Sequence, residues 1–301
     1  MTIKNTAQAD SLQVVLESSA VEKDLYPIID WDDAYANADH IKNSANYPDN
    51  WQASASAFRQ KLTARSCAKL NIKYGGGERN ALDLFLPAPT QSLTSKGLVV
   101  FVHGGYWLRF DKSYWSHFAQ GALDSGYTVA IPSYTLCPQI SIAGITKEIA
   151  AAIECAATLV SGEIRLMGHS AGGHLVTSML CDDSPLAPHI LRRIAKTVSI
   201  SGVHDLRALT NTAINKSLQL TSEQARACSP VLKAPGHLMP LTCWVGSEER
   251  PEFKRLNKLQ AQIWQTFSLS TDWVEESGKH HFNILDGLLD KNHPLMRSLL
   301  C

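Results

Sequence analysis

Arg165-Leu166-Met167-Gly168-His169-Ser170-Ala171-Gly172-Gly173-His174 is the stretch whose reading decides the fold. An apolar strand runs into a G-x-S-x-G pentapeptide, and an apolar, helix-forming run starts at Ala171. A nucleophilic serine needs that order, because a sharp strand-to-helix turn lifts its Oγ clear of the sheet. Gly168 and Gly172 lack the Cβ atoms that would clash in so tight a turn. Ala171 is small, and its backbone N–H points toward any oxyanion that develops near the new helix N-terminus. Taken alone, the pentapeptide fits a helix cap equally well, since serine is a good N-cap. The flanking strand and helix favour catalysis.

Outward from this turn, short apolar runs alternate with helical patterns from Gly97 onward. Strands are expected at 98–102, 127–131, 163–167, 196–200 and 241–245, with helices at 113–125, 142–160, 171–181 and 252–267. Continuously apolar strands separated by helices imply a parallel sheet covered on both faces. Ahead of them, 68–74 and 81–86 flank Gly75-Gly76-Gly77 and read as an antiparallel hairpin at the sheet's edge. The expected fold class is therefore α/β: a mostly parallel central sheet with an antiparallel N-terminal edge and helices on both faces. Residues 204–238 read as a small helical insertion over the sheet. Residues 1–65, rich in acidic and aromatic groups around Trp31 and Trp51, form a segment expected to pack on a catalytic domain at 66–301, near its mouth. The first ten to fifteen residues are expected to be disordered.

The composition narrows the function classes. The 301 residues carry 28 Lys+Arg and 28 Asp+Glu, so no basic excess points to nucleic acid or an anionic membrane. A hydrophobic share of 45% and a charged share of 19% are those of a soluble globular protein. Seven scattered cysteines form no C-x-x-C pair, so neither a disulfide framework nor a zinc site is signalled. The first residues lack the apolar core of a signal peptide, and no apolar run is long enough to span a bilayer. A cytoplasmic setting and a small-molecule substrate are expected, with no nucleic-acid or membrane partner; a homodimer is compatible with the sequence. No H-E-x-x-H or clustered ligand spacing is present, so no metal or cofactor is expected.

A serine hydroxyl needs a general base, and the base needs an acid to fix its tautomer. His281, in Ser277-Gly278-Lys279-His280-His281-Phe282-Asn283, follows a strand-like 270–275 and precedes a terminal helix; His280 is the close alternative. Glu249 lies just after the 241–245 strand, with Glu248 and Glu252 nearby. Asp205, after the preceding strand, is its rival. The generic order serine, acid, histidine favours Glu249. Phe101-Val102-His103-Gly104-Gly105-Tyr106-Trp107 follows the first strong parallel strand, where an oxyanion loop belongs; Gly104, Gly105 and Tyr106 with Ala171 are the candidate donors.

Together, His103–Trp107, Gly168–Leu175, Arg250-Pro251-Glu252-Phe253 and His281-Phe282 resemble the kynurenine formamidase (arylformamidase) branch of the α/β-hydrolases, and most of all its bacterial esterase-like members. The resemblance runs from about Asp32 to the last helix. It implies nucleophile Ser170, base His281, acid Glu249 and an oxyanion loop at His103–Tyr106. One departure is that eukaryotic arylformamidases carry Asp where this chain has the longer Glu249. The activity implied is hydrolysis of N-formylkynurenine to kynurenine and formate through an acyl-enzyme. Tyr106, Trp107, Phe110, Tyr134 and Phe282 are candidate aromatic walls, and Arg109 or Arg250 is a candidate partner for the substrate carboxylate. The alternatives are a carboxylesterase for short acyl esters, since a fold fixes neither acyl nor leaving group, and an inactive hydrolase-like binding protein.

Overall fold

Eight strands form one mixed sheet in the order β1-β2-β4-β3-β5-β6-β7-β8. They are β1 (Ala68–Lys73), β2 (Ala81–Phe85), β3 (Gly97–Val102), β4 (Thr128–Pro132), β5 (Glu163–His169), β6 (Ile194–Ile200), β7 (Leu241–Gly246) and β8 (Thr271–Glu276). The computed structural model describes residues 30–88, 95–236, 239–267 and 270–301, and the expectation for the first ten to fifteen residues lies outside them. The β1–β2 hairpin is antiparallel and β2 runs antiparallel to β4, whereas β3 to β8 pair in parallel. This is the α/β-hydrolase fold, with its antiparallel edge where the glycine-linked hairpin places it.

Strand residues alternate between two apolar layers. Leu98, Val100 and Val102 face the layer shared with the helices Ile142–Leu159, Ala171–Ser178 and Pro251–Gln265; Val99 and Phe101 face Trp115, Phe118 and the C-terminal helix Pro294–Leu300. A side-chain period of two, buried on both sides, is why these strands read as unbroken apolar runs. Residues Trp31–Cys301 pack as one unit. Within it, α1 (Trp31–Tyr35) and α2 (Tyr47–Ala64) precede the hairpin. Among the described residues no helix is long and apolar enough to cross a membrane.

Two expected elements differ. The helix expected at 113–125 is instead two 3₁₀ turns, Lys112–Tyr114 and Ser116–Ala119, followed by α3 (Gln120–Asp124). Trp115, Phe118, Ala119 and Ala122 are all buried at i, i+3, i+4, i+7, the spacing of an α-helical face, so the burial pattern gives no sign of the 3₁₀ turns. The helix expected at 171–181 ends at Ser178. The 204–238 region holds short turns and helices, including Ala208–Asn211, Asn215–Leu218 and Ser222–Ala227.

The register gathers the strands' carboxyl ends. Val102 pairs with Gly168, His169 with Ile200, Ile200 with Trp244, and Gly246 with Glu276. The loops after β3, β5, β6, β7 and β8 consequently open on one side of the sheet, where an open α/β sheet carries its ligands.

Candidate active site

The turn after β5 is very tight. Ser170 has φ 54° and ψ −115°, a left-handed conformation costly for a residue with a side chain. Its N–H is held by Ile200 O at 2.8 Å. A Cβ on Gly168 would lie 2.2 Å from Gly172 O, and one on Gly172 would lie 2.0 Å from Val102 O. Both glycines are required by close approach of backbone. Ala171 then begins the helix Ala171–Ser178, whose first N–H groups have no intrahelical acceptor.

On the far side of the turn, His281 Nδ1 donates to Glu249 Oε2 at 2.7 Å, and both residues are buried. A carboxylate only accepts, so the imidazole proton sits on Nδ1 and Nε2 is the basic atom. Glu249 Oε1 accepts from Ser201 Oγ at 2.5 Å and from Gly246 N at 2.9 Å. Three donors thus fix the carboxylate's position. Ser201 lies directly after β6 and has φ 53°. No sequence pattern singled it out; its only signal is its place at a strand's carboxyl end.

Each rival is engaged elsewhere. Asp205 is bound by Arg207 through Oδ1 and Oδ2, at 2.9 and 2.7 Å. Glu252 pairs with Arg255, and Glu248 is exposed. His280 caps a local turn, its Nδ1 accepting from Phe282 N at 3.1 Å while Nε2 meets Tyr47 Oη at 3.3 Å. The structure therefore joins His281 to Glu249 and joins neither to Asp205.

The loop after β3 abuts the serine. A Cβ on Gly104 would come within 3.0 Å of Ser170 Cβ. Gly105 has φ +114°, and a Cβ there would meet Arg109 O at 2.6 Å, so only glycine fits. Leu108 and Arg109 N–H both donate to Gly105 O, and the Gly105 and Tyr106 N–H groups have no backbone acceptor among the described residues. His103 anchors the loop: its Nδ1 donates to Gly104 O at 2.8 Å, and its ring stacks 4.4 Å from Tyr134. Burial pushes this histidine down to about 4, so it is neutral at pH 7. His169 is also buried and held well below the ordinary histidine range by burial and by neighbouring His281; its Nε2 donates to His281 O at 2.8 Å.

A cavity of about 440 Å³ opens on Ser170, His169 and His281. Its wall includes Trp51, Tyr106, Phe110, Trp115 and Phe282, and a stretch from Asp32 to Pro48 closes one side. Phe282 and Tyr106, two of the candidate walls, lie in this lining. Trp107 and Tyr134 are corrected: both are fully buried and outside the lining. Tyr134 Oη donates to His103 O at 3.0 Å, and Trp107 packs edge-on against His174. They pack behind the loop that follows β3. Arg109 lines the cavity, whereas Arg250 does not; it clamps Asp33 through Oδ2 and through the main-chain carbonyl at 3.1 Å. Asp33 lies on α1, whose Tyr35 packs on Phe253 at 5.8 Å and accepts the Tyr106 hydroxyl at its carbonyl, 2.5 Å away. Helix α1 therefore buttresses the loop beside the serine.

Chemically, a buried serine in a strained turn, an oriented imidazole, a fixed carboxylate and unclaimed N–H groups are the parts that acyl transfer requires. Comparison with known proteins points the same way. The BD-FAE family model matches residues 82–234. The kynurenine formamidase of Danio rerio is 27% identical over 240 residues, covering 77% of this chain and 80% of the relative. That of Drosophila melanogaster is 30% identical over 232 residues, covering 72% and 75%. A solved structure from Silicibacter sp., described as a candidate thioesterase, is 43% identical with a TM-score of 0.84, covering 91% of this chain and 100% of that one.

Proposed function

The chain belongs to the BD-FAE family and to the kynurenine formamidase-like branch of the α/β-hydrolases, a family of hydrolases, and on that premise we propose that it is an arylformamidase converting N-formylkynurenine to kynurenine and formate. The observation that carries the substrate class is the aromatic cavity flanking Ser170 and His281. An aryl leaving group fills such a wall with stacking and edge contacts that a simple alkyl ester lacks.

In this reading Ser170 Oγ attacks the formyl carbon as His281 Nε2 takes its proton. The tetrahedral oxyanion is held by N–H groups of Gly105, Tyr106 and Ala171, with Gly104 giving the close approach. The carbon–nitrogen bond then breaks, and His281 returns the proton to the departing arylamine. Water, deprotonated by His281, attacks the formyl-serine; the carbon–Oγ bond breaks, His281 returns the proton to Ser170 Oγ, and formate leaves. Glu249 keeps Nε2 as the basic nitrogen and stabilises the imidazolium through both half-reactions. Removing one oxyanion donor costs about 10²- to 10³-fold in kcat in such sites.

A second reading, hydrolysis of short acyl esters or thioesters by the same residues, is favoured by the 43% identity to the Silicibacter protein. Side-by-side kcat/KM values for N-formylkynurenine, p-nitrophenyl acetate and a short acyl thioester separate the two. The formamidase reading expects the formamide to lead; ester or thioester turnover with no formamide turnover sinks it.

A further inference from the structure

His169 ends β5, directly precedes Ser170, is buried, and lines the same cavity as Ser170 and His281. Its Nε2 bonds the main-chain carbonyl of His281 at 2.8 Å, across 112 positions of sequence. A carbonyl only accepts, so the His169 proton sits on Nε2 and Nδ1 keeps a lone pair. That Nδ1 has no hydrogen-bond partner among the described residues, and a Cβ on Gly104 would lie 3.0 Å from it. The ring thus sits against the loop after β3 at one nitrogen and holds the loop after β8 with the other.

The loop that carries the base is tied residue by residue. Lys279 O accepts from Glu248 N at 2.9 Å, and His280 O accepts from Ile284 N at 3.2 Å. His281 O, among the described residues, accepts only from His169. Glu249 holds Nδ1 of the His281 ring, but one hydrogen bond fixes a point on a ring and not its tilt. The rest must come from the backbone position and from neighbouring rings. Those rings are Phe253, edge-on at 4.7 Å, and His169 itself, tilted at 4.6 Å. A charged neighbour that close would oppose the imidazolium that forms when His281 takes a proton. Burial keeps His169 neutral, so it holds the base without that penalty.

We propose that His169 is a positioning residue for the base: its Nε2–H, bonded to the His281 carbonyl, sets the depth and tilt at which the His281 imidazole meets Ser170. The inference rests on the reading of Ser170 and His281 as nucleophile and base, and not on the formyl substrate. It gives the residue before the nucleophile a task of its own, coupling the serine turn to the loop of the base through one hydrogen bond.

Three substitutions separate a tether from a space-filler. His169→Gln carries an amide N–H on a side chain long enough to reach the His281 carbonyl. His169→Asn carries the same amide one methylene short, and His169→Leu is apolar. The first readout needs no substrate: the far-downfield proton NMR signal of the His281 Nδ1–H held by Glu249. The wild type and His169→Gln should show it, whereas His169→Asn and His169→Leu should broaden or lose it. The second is the rate at which a fluorophosphonate labels Ser170, read by intact mass. It should fall about ten- to hundred-fold in the Asn and Leu variants, the scale of a group misplaced by about 1 Å, and stay within about five-fold of wild type in His169→Gln. If His169→Leu does not fold, the Gln and Asn pair decides alone. Asn and Leu variants that keep both the signal and the labelling rate would overturn the tether, and so would a His169→Gln that falls with them. Neither readout involves a formyl group, so a failure to hydrolyse N-formylkynurenine counts against the proposed substrate alone.

Discussion

At the scale of single residues, the acid's identity turns on hydrogen bonding rather than chain order. Glu249 and Asp205 each follow a strand, but only Glu249 meets the imidazole, while Arg207 occupies Asp205. Glu249→Gln should lower kcat by about 10²- to 10⁴-fold, because the amide can present an N–H to Nδ1 and favour the wrong tautomer. Asp205→Asn should stay within a few-fold of wild type. Ser201→Ala removes one donor from a carboxylate, a contact worth about 1.5–3 kcal/mol, and should cost roughly ten- to hundred-fold. Steady-state turnover of the three variants checks the assignment; a larger loss in Asp205→Asn than in Glu249→Gln would reverse it. The aromatic assignments were less legible. Trp107, Tyr134, Phe110 and Phe282 look alike in sequence, and only packing separates those buried behind the loop after β3 from those that face the cavity. Arg109 and Arg250 were equal candidates for the same reason: an ion partner 217 positions away, Asp33, is invisible to local pattern.

At the scale of elements, the parallel strands were legible because burial on both faces forces unbroken apolar runs. The serine turn was legible because its glycines answer to backbone contacts that admit no alternative. Gly172→Ala places a Cβ 2.0 Å from Val102 O, so the β3–β5 junction must part. That variant should lose several kcal/mol of stability, on the scale of about 3 or more seen for severe core strain, or fail to fold. Thermal melting reads it out; a wild-type Tm would refute the close-approach argument. The 3₁₀ path through 112–119 was not legible, since buried aromatics three apart fit a helix pattern until their packing is seen. The part played by α1 was also hidden. Its acidic, aromatic sequence suggested packing near the mouth, but the bracing of Tyr106 by the Tyr35 carbonyl is a main-chain contact that no side-chain pattern encodes.

Across the whole molecule, buried neutral histidines tie stability to pH. His103, His117 and His174 are pushed down to about 4 and His204 to about 3, in each case chiefly by burial, and His169 lies well below its ordinary value. The unfolded chain takes up protons at these sites near 6.5, whereas the folded chain refuses them until about pH 4 or lower. The unfolded state therefore binds more protons across that window, so stability is full above pH 6.5 and falls as the pH drops toward 4. Melting temperatures measured from pH 8 to pH 4.5 should be flat above neutrality and decline steeply below 6.5. A Tm unchanged down to pH 4.5 would mean that these histidines are not buried in their neutral form.

The fold brings Ser170 and the Glu249-bound His281 to the lining of one cavity, and Ser170 is the residue proposed to carry the formyl group. The most direct measurement is the release of kynurenine and formate from N-formylkynurenine by the wild-type chain and by Ser170→Ala. The account predicts equimolar products from the wild type and a loss of at least about 10³-fold in the variant. No turnover by the wild type, or a Ser170→Ala rate within ten-fold of it, would contradict the account.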